Sequence, residues 1–258
     1  MFHALQRAAV AAAITTAAFA TQAGTVKLTG WAYDKFGVVR MTHPNAASNS
    51  IGAHAGAFAG VVSGFDGDAS GFNGSLVTYC VELTQHAAGW NVAQSEYSIL
   101  DGADYFGSGP RAEALGSFVT FLEPLIAQEQ DQQAWRLAVA GQLAIWNLIY
   151  DTDHSLASGT MQEHGGKGGN PSEPNPWPSY RELADTLLND WAGWLADGHG
   201  SAYDIFVLRH DSKQDYLLLR ERPVPPASLD VPEPQTLALV LGALCAAGFA
   251  RRSRRVTP

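Results

Sequence analysis

The hydrophobic period of this chain changes twice along the sequence, and this change limits the folds that it can adopt. Residues 24–92 hold short apolar runs between glycine turns, which is typical of strands. Residues 111–197 carry apolar side chains three and four positions apart, which is the spacing of amphipathic helices. Strand-like runs return in residues 203–220 on either side of a polar turn, which predicts a closing hairpin. We therefore predict an α+β fold, in which an antiparallel, barrel-like sheet carries an inserted helical subdomain.

Within these regions the patterns predict individual elements. Three strands are predicted at residues 26–31, 60–65 and 75–83, each bounded by glycine or polar residues. Three helical stripes follow, and the third begins with a capping box formed by Ser179 and Glu182.

The N-terminal end has the pattern of a secretion signal. Arg7 precedes an apolar run of small residues at positions 8–20, and residues 18–20 or 21–23 offer the small-x-small cleavage pattern. We predict a signal peptide over residues 1–23 and a mature chain that begins near Gly24.

The C-terminal end has three parts in a fixed order. An extended strip comes first, since two prolines around one residue exclude a helix or a central strand; it consists of Val231, Pro232, Glu233 and Pro234. An apolar run at residues 237–250 follows, which is shorter than the roughly 20 residues of a stable membrane span. Arginines at positions 251–255 favour a cytoplasmic position for the basic end. Physically this is a transient membrane anchor with an accessible strip in front of it.

This order of strip, apolar run and basic end resembles the PEP-CTERM sorting signal, here residues 231–258 behind a linker at 223–230. The resemblance implies cleavage at or near the strip by an exosortase-type membrane peptidase of Gram-negative, exopolysaccharide-producing bacteria. It also implies transient anchoring in the inner membrane and a final place at the cell surface or in the extracellular matrix. A plain tail anchor is the alternative, but it would not explain the Pro-Glu-Pro.

The charge of the body between the two ends limits its partners. Of the 16 Lys and Arg of the chain, five lie in the ends, and of the 25 Asp and Glu only one does, so that the body carries about −13. Such a charge argues against nucleic acid and anionic membrane as partners.

Cys80 is the only cysteine of the body, because Cys245 lies in the tail. Cysteines of secreted domains normally pair. A lone one suggests an intermolecular bridge or a reactive thiol, and an inert buried side chain is the third possibility.

Gln142 lies in the middle of the apolar stripe of the second predicted helix, so that its amide should be buried. A buried amide is unfavourable by roughly 1–3 kcal/mol unless it finds partners. Either it satisfies local backbone groups, or it orients something polar in the core.

Three short motifs resemble those of the thioester domains of bacterial surface adhesins. They are the aromatic-Cys-aliphatic motif at Tyr79 and Cys80, the helical stretch from Gln142 to Trp146, and the late glutamine Gln214 before an apolar strand. The resemblance spans most of the body, residues 24–222. It implies that the Cys80 thiol and the Gln214 side chain condense into an internal thioester, with Gln142, Trp146 and Tyr79 around it. Such a bond reacts once with a target amine or hydroxyl.

One position departs from the family pattern, and two other glutamines are alternative acyl donors. Position 141 is Gly where the family pattern has Thr. Gln142 is a second candidate acyl donor, if its helix presents it to the thiol. Gln85 is the third candidate. Its spacing from Cys80 is similar to the compact spacing of complement-type thioesters, but it is one residue longer.

Other classes of function compete with the thioester. The strongest rival is a non-reactive structural or adhesive matrix protein with a buried free Cys80. A thiol hydrolase using His86 or His210 lacks a local signature, so that we expect no enzymatic turnover.

No cofactor is expected, and no metal, because the histidines are scattered and the acidic stretch 66–68 reads as a turn. The aromatic residues Trp90, Trp177 and Trp194 are compatible with sugar stacking, but a role in the core is the favoured interpretation.

Overall fold

A computed structural model describes the chain at residues 23–42, 50–129, 132–151, 153–164 and 179–223. All of its helices and strands lie in a first unit, Met1–Glu221. The predicted signal peptide, the linker, the sorting tail and Trp177 lie outside the described residues.

Eight strands are present in the described residues. They are β1 Gly24–Trp31, β2 Gly37–Met41, β3 Ile51–Ala55, β4 Phe58–Ser63, β5 Gly74–Thr78, β6 Ala93–Asp101, β7 Tyr203–Arg209 and β8 Tyr216–Glu221. Six of them form one sheet in the order β5-β4-β1-β6-β7-β8, and every neighbouring pair is antiparallel. The other two, β2 and β3, form a separate hairpin with Val39 opposite Ala53. Of the predicted turn at residues 66–68, Asp66 is the N-cap residue of a 3₁₀ helix, Gly67–Phe72, and the other two residues belong to that helix.

Between β6 and β7 the described residues form four helices. They are α1 Gly102–Phe106, α2 Gly109–Gln128, α3 Gln132–Tyr150 and α4 Tyr180–Ala196. Leu100 of β6 lies opposite Val207 of β7, so that the sheet continues across the insertion. The predicted α+β fold with an inserted helical part is confirmed, and so is the closing hairpin of β7 and β8. The strand β6 and the short helix α1 were not predicted.

Helix α3 is central to the inserted part and packs against α2, α4 and β3. Its side chains are buried on nearly every face, as expected of a helix that is apolar all round. Gly141 permits a close approach to α2, since a Cβ there would lie 2.4 Å from Cδ2 of Leu122. The Gly at this position, where the thioester family has Thr, therefore has a packing reason in this chain.

The predicted capping box at the start of α4 is confirmed. The Ser179 hydroxyl accepts from the Glu182 amide at 3.2 Å, and the Glu182 carboxylate accepts from the Ser179 amide at 2.8 Å. These reciprocal bonds satisfy two backbone donors that a helix start would otherwise leave unpaired.

The two edges of the six-stranded sheet meet just beyond the end of β5. The amide of Leu217 in β8 donates to the carbonyl of Tyr79 at 2.9 Å, and the amide of Val81 donates to the carbonyl of Asp215 at 3.2 Å. These bonds bring Cys80 and Tyr216 opposite each other in an isolated antiparallel bridge. We call this junction the seam. It nearly closes the sheet, and Cys80 lies in its middle.

The third predicted strand, residues 75–83, is shorter in the structure, where it is β5. The ladder between β5 and β4 stops at Thr78, which lies opposite Phe58, the first residue of β4. The prediction that this strand runs on to Leu83 was wrong, because its neighbour offers no strand residues beyond that point.

Candidate functional site

The backbone of Cys80 is held by the side chain of Gln142. In the seam the N–H and C=O of Cys80 point away from β8, since the bonds across the seam come from Tyr79 and Val81. The Gln142 Oε1 accepts from the Cys80 amide at 2.8 Å, and the Gln142 Nε2 donates to the Cys80 carbonyl at 2.8 Å. One carboxamide thus replaces the missing end of β4.

Gln142 can do this because α3 runs past the seam with that side chain buried. The Gln142 side chain is fully buried, so that its amide needs two partners, which are the two backbone groups of Cys80. Without Gln142 these two buried backbone groups would have no partner of this kind, at a cost of about 1–3 kcal/mol each.

Gln214 lies in the turn between β7 and β8, two residues before β8 begins. Its amide nitrogen donates to the carbonyl of His86 at 3.1 Å, which fixes its backbone. Its side-chain Nε2 donates to the carbonyl of Glu82 at 2.7 Å and, more weakly, to that of Asp215 at 3.4 Å. The Gln214 side chain is therefore held against the chain segment that directly follows Cys80.

Cys80 and Gln214 line the same cavity, whose volume is about 490 Å³. Trp146 of α3 lines it as well. Of the five predicted site residues, these three share the cavity, and Gln142 holds Cys80 through its backbone. Tyr79 is not among the lining residues; it is buried, and its carbonyl accepts from β8 across the seam.

Burial determines the state of the thiol. Cys80 is free and only 4% exposed. Loss of solvation, with a smaller contribution from Glu82, raises the pKa of Cys80 well above its ordinary value. The free side chain is therefore a neutral thiol at neutral pH. A nucleophilic reaction at this position has to move its proton in the same step.

The residues of the alternative predictions lie at different places. Gln85 and His86 both line the cavity. The Gln85 amide is held by the Glu82 carboxylate at 3.0 Å, and its Nε2 donates weakly to the Asp211 carbonyl at 3.4 Å. His210 lies elsewhere, with its ring 5.0 Å from that of Tyr97, and it is not a lining residue.

Apart from Trp90, sequence reasoning missed the aromatic residues of the cavity wall. Trp31 at the end of β1, His54 on β3 and Phe58 at the start of β4 line it, together with Trp90. Their positions in the sequence share no spacing, so that no motif could have grouped them. Of the two described tryptophans that are compatible with sugar stacking, Trp90 lines the cavity. Trp194, on α4, does not, and its ring packs on that of His199.

Comparison with known proteins identifies the C-terminal end. The PEP-CTERM protein-sorting motif matches residues 230–255, which confirms the predicted sorting signal. The chain is therefore an exported protein of the cell surface or exopolysaccharide matrix of a Gram-negative bacterium.

The body has no such match, since neither curated proteins nor solved structures gave a similar one. None of the helices that the structure describes is long and apolar enough to cross a membrane, and the apolar run at 237–250 lies outside the described residues.

Proposed function

We propose that the body is a thioester domain, in which Cys80 and Gln214 form an internal thioester that bonds once to a target amine or hydroxyl. The observation that carries this proposal is the shared cavity, because a lone buried thiol and a buried glutamine side chain both line it. Bringing two groups together in this way supplies much of the barrier reduction for an otherwise slow reaction.

The formation step transfers one acyl group. Sγ of Cys80 attacks Cδ of Gln214, the new S–C bond forms and the C–N bond breaks. The thiol proton leaves with the nitrogen as ammonia. The contact between Nε2 and the Glu82 carbonyl, at 2.7 Å, holds the leaving nitrogen on a fixed side of the acyl carbon. Trp146, only 1% exposed, supports shielding of the product from water.

The reaction with a target restores the thiol. The target nitrogen or oxygen attacks Cδ of Gln214, the C–S bond breaks, and the proton of the target ends on Sγ of Cys80. Burial raises the pKa of Cys80, which favours this return of the proton to sulfur. The product is one covalent bond per molecule, so that no enzymatic turnover results.

The contacts favour Gln214 over the other candidate acyl donors. Both polar atoms of the Gln142 side chain are engaged by the backbone of Cys80, and converting this amide to a thioester would remove its donor. Gln85 shares the cavity, but its backbone belongs to a turn held by the Glu82 carboxylate.

The sorting signal indicates how the protein is processed after export. We infer that an exosortase-type peptidase cleaves at or near residues 231–234, after the apolar run has held the chain in the inner membrane for a time. Exopolysaccharide is the proposed surrounding of the mature protein.

The intact mass of the mature protein tests the thioester directly. We expect the wild type to be lighter than its sequence by one ammonia, and to gain one methylamine on exposure to that amine, with one newly free thiol. Cys80→Ala and Gln214→Ala should show neither change. Gln85→Ala is the matched control, because this residue shares the cavity and should leave both changes intact.

The rival function is a non-reactive matrix protein. The burial of Cys80 and its raised pKa favour this reading, since both make a free thiol inert. An unshifted mass with a free Cys80 in freshly purified, folded protein would establish it and exclude the thioester.

A further inference from the structure

One side of the cavity is a connected group of aromatic rings. We call Trp31, His54, Phe58 and Trp90 the aromatic wall. The ring of Trp31 lies 4.3 Å from that of Phe58 and 5.5 Å from that of Trp90, between centroids. Trp90 is 44% exposed, so that part of its surface is uncovered. Phe36, 38% exposed, stacks on Trp31 at 5.0 Å and extends this surface.

The cavity carries no formal charge among its described lining. Its sixteen lining residues include no Asp, Glu, Lys or Arg. The polar lining groups are amides, a hydroxyl and imidazoles, contributed by Gln85, Gln214, Thr84, His54 and His86. A charged ligand would lose its hydration here without gaining a counter-charge, which is unfavourable. The lining therefore fits a neutral ligand with many hydrogen-bonding groups.

We propose that this cavity binds a neutral sugar unit of a glycan, with a ring face on the aromatic wall and its hydroxyls toward the polar lining residues. A cavity of about 490 Å³ lies within the usual range for small-molecule sites and suits one or two sugar rings. The apolar face of a sugar ring packs on an aromatic ring, while its edge carries hydroxyls. Further, a hydroxyl of this sugar is the acceptor that the thioester acylates, and this second part rests on the proposed function.

An ammonium group is the competing occupant, because aromatic rings also attract cations. The described lining holds no carboxylate to balance an ammonium, which disfavours a cation in this cavity. The sugar is therefore favoured.

Binding is tested without the thioester, in the mature protein with Cys80→Ala. Intrinsic tryptophan fluorescence is followed while maltose, cellobiose, lactose or Nα-acetyl-lysine amide is added. We expect saturable binding of at least one disaccharide. Adding Trp90→Ala should weaken it about tenfold or more, which corresponds to about 1.4 kcal/mol. Adding Gln85→Leu should weaken it as well, which gives a second variant should the first fold poorly.

The matched control for Trp90→Ala is Trp194→Ala, which removes a half-buried tryptophan on α4 outside the cavity lining. It should leave the affinity unchanged. Absence of binding by every disaccharide, an equal loss in the control, or preferred binding of the lysine amide would each overturn the sugar site.

The acylation part is read from the mass of the wild type after incubation with the bound sugar. An adduct forms when the sugar oxygen bonds to Cδ of Gln214, the C–S bond to Cys80 breaks, and the hydroxyl proton passes to Sγ of Cys80. A methylamine adduct without a sugar adduct would overturn sugar acylation and leave the thioester standing. Sugar binding by a wild type of unshifted mass would support the cavity and exclude the thioester.

Discussion

Replacing Gln142 by alanine removes both hydrogen bonds between its side chain and the backbone of Cys80. Because both backbone groups are buried in the seam, each is left unpaired, and a buried unpaired group costs about 1–3 kcal/mol. The free energy of unfolding should therefore fall by about 2–6 kcal/mol. In a domain of this size that lowers the Tm by roughly 2–4 °C for each kcal/mol.

The measurement is chemical denaturation in a Cys80→Ala background. Alanine keeps the amide and carbonyl of residue 80 and removes any thioester, so that only the backbone contacts are tested. Gln128→Ala is the matched control, since that glutamine is exposed on α2. It should change the free energy of unfolding by less than about 0.5 kcal/mol. Equal effects of the two substitutions would refute the backbone role of Gln142.

Gln142→Glu sharpens the test. A protonated carboxyl can accept from the Cys80 amide and donate to its carbonyl, as the glutamine does, whereas a carboxylate cannot donate. Burial disfavours the charged form and so raises the pKa of the introduced carboxyl above its unfolded value. Its stabilising contribution should therefore be present at acid pH and disappear as the pH rises. A loss of stability that does not depend on pH would contradict this account.

Three further predictions concern Asp215, Gly141 and the seam. Burial raises the pKa of Asp215, against lowering hydrogen bonds from the His210 amide and the Tyr105 hydroxyl. Its contribution to stability is thus complete below the unfolded pKa and is lost as the pH rises through the folded one. Asp215→Asn should make the decline of the unfolding free energy above about pH 4 shallower, as measured by denaturation at several pH values; an unchanged slope would contradict it. Gly141→Thr, which introduces the Thr of the thioester-domain pattern, should lower the unfolding free energy by about 1–3 kcal/mol through contact with α2, and a gain in stability would refute the packing reason. If the thioester cross-links the seam, the amide protons of the seam should exchange faster with deuterium in Cys80→Ala than in the wild type, with the amide protons of β1 as the internal reference. Equal exchange rates in the two proteins would count against a cross-link.

The sequence predicted the order of the elements because each part of the chain keeps one hydrophobic period. The strand β6 escaped prediction because only Tyr97 and Ile99 among its side chains are buried, so that its alternation is short. The end of β5 was missed for a different reason. The strand-like composition of residues 75–83 continues to its end, but where the ladder stops depends on Phe58, the first residue of the neighbouring strand.

The candidate site also has a part that the sequence predicts and a part that only the structure shows. Cys80, Gln142 and Gln214 were singled out by residue type and motif, and the structure gathers them around the seam. The contact of Gln214 with Glu82 is made to a backbone carbonyl, which leaves no trace in side-chain patterns. The aromatic wall is assembled from three strands and a loop, so that only the folded chain defines it.

Gln142 and Gln214 have the same side chain but different surroundings near the seam, and this gives them different roles. Gln142 projects from a rigid, buried helix and uses both atoms of its amide on the backbone of Cys80, as a neighbouring strand would. Gln214 projects from a turn at the cavity, where its Nε2 is bound by backbone carbonyls. A residue whose amide replaces part of a sheet cannot change its chemistry without opening the seam. A residue at a cavity wall can, because the acyl carbon stays in place when its nitrogen leaves. The contacts of the two side chains therefore favour Gln214 for the bond and Gln142 for the frame that holds Cys80 in position.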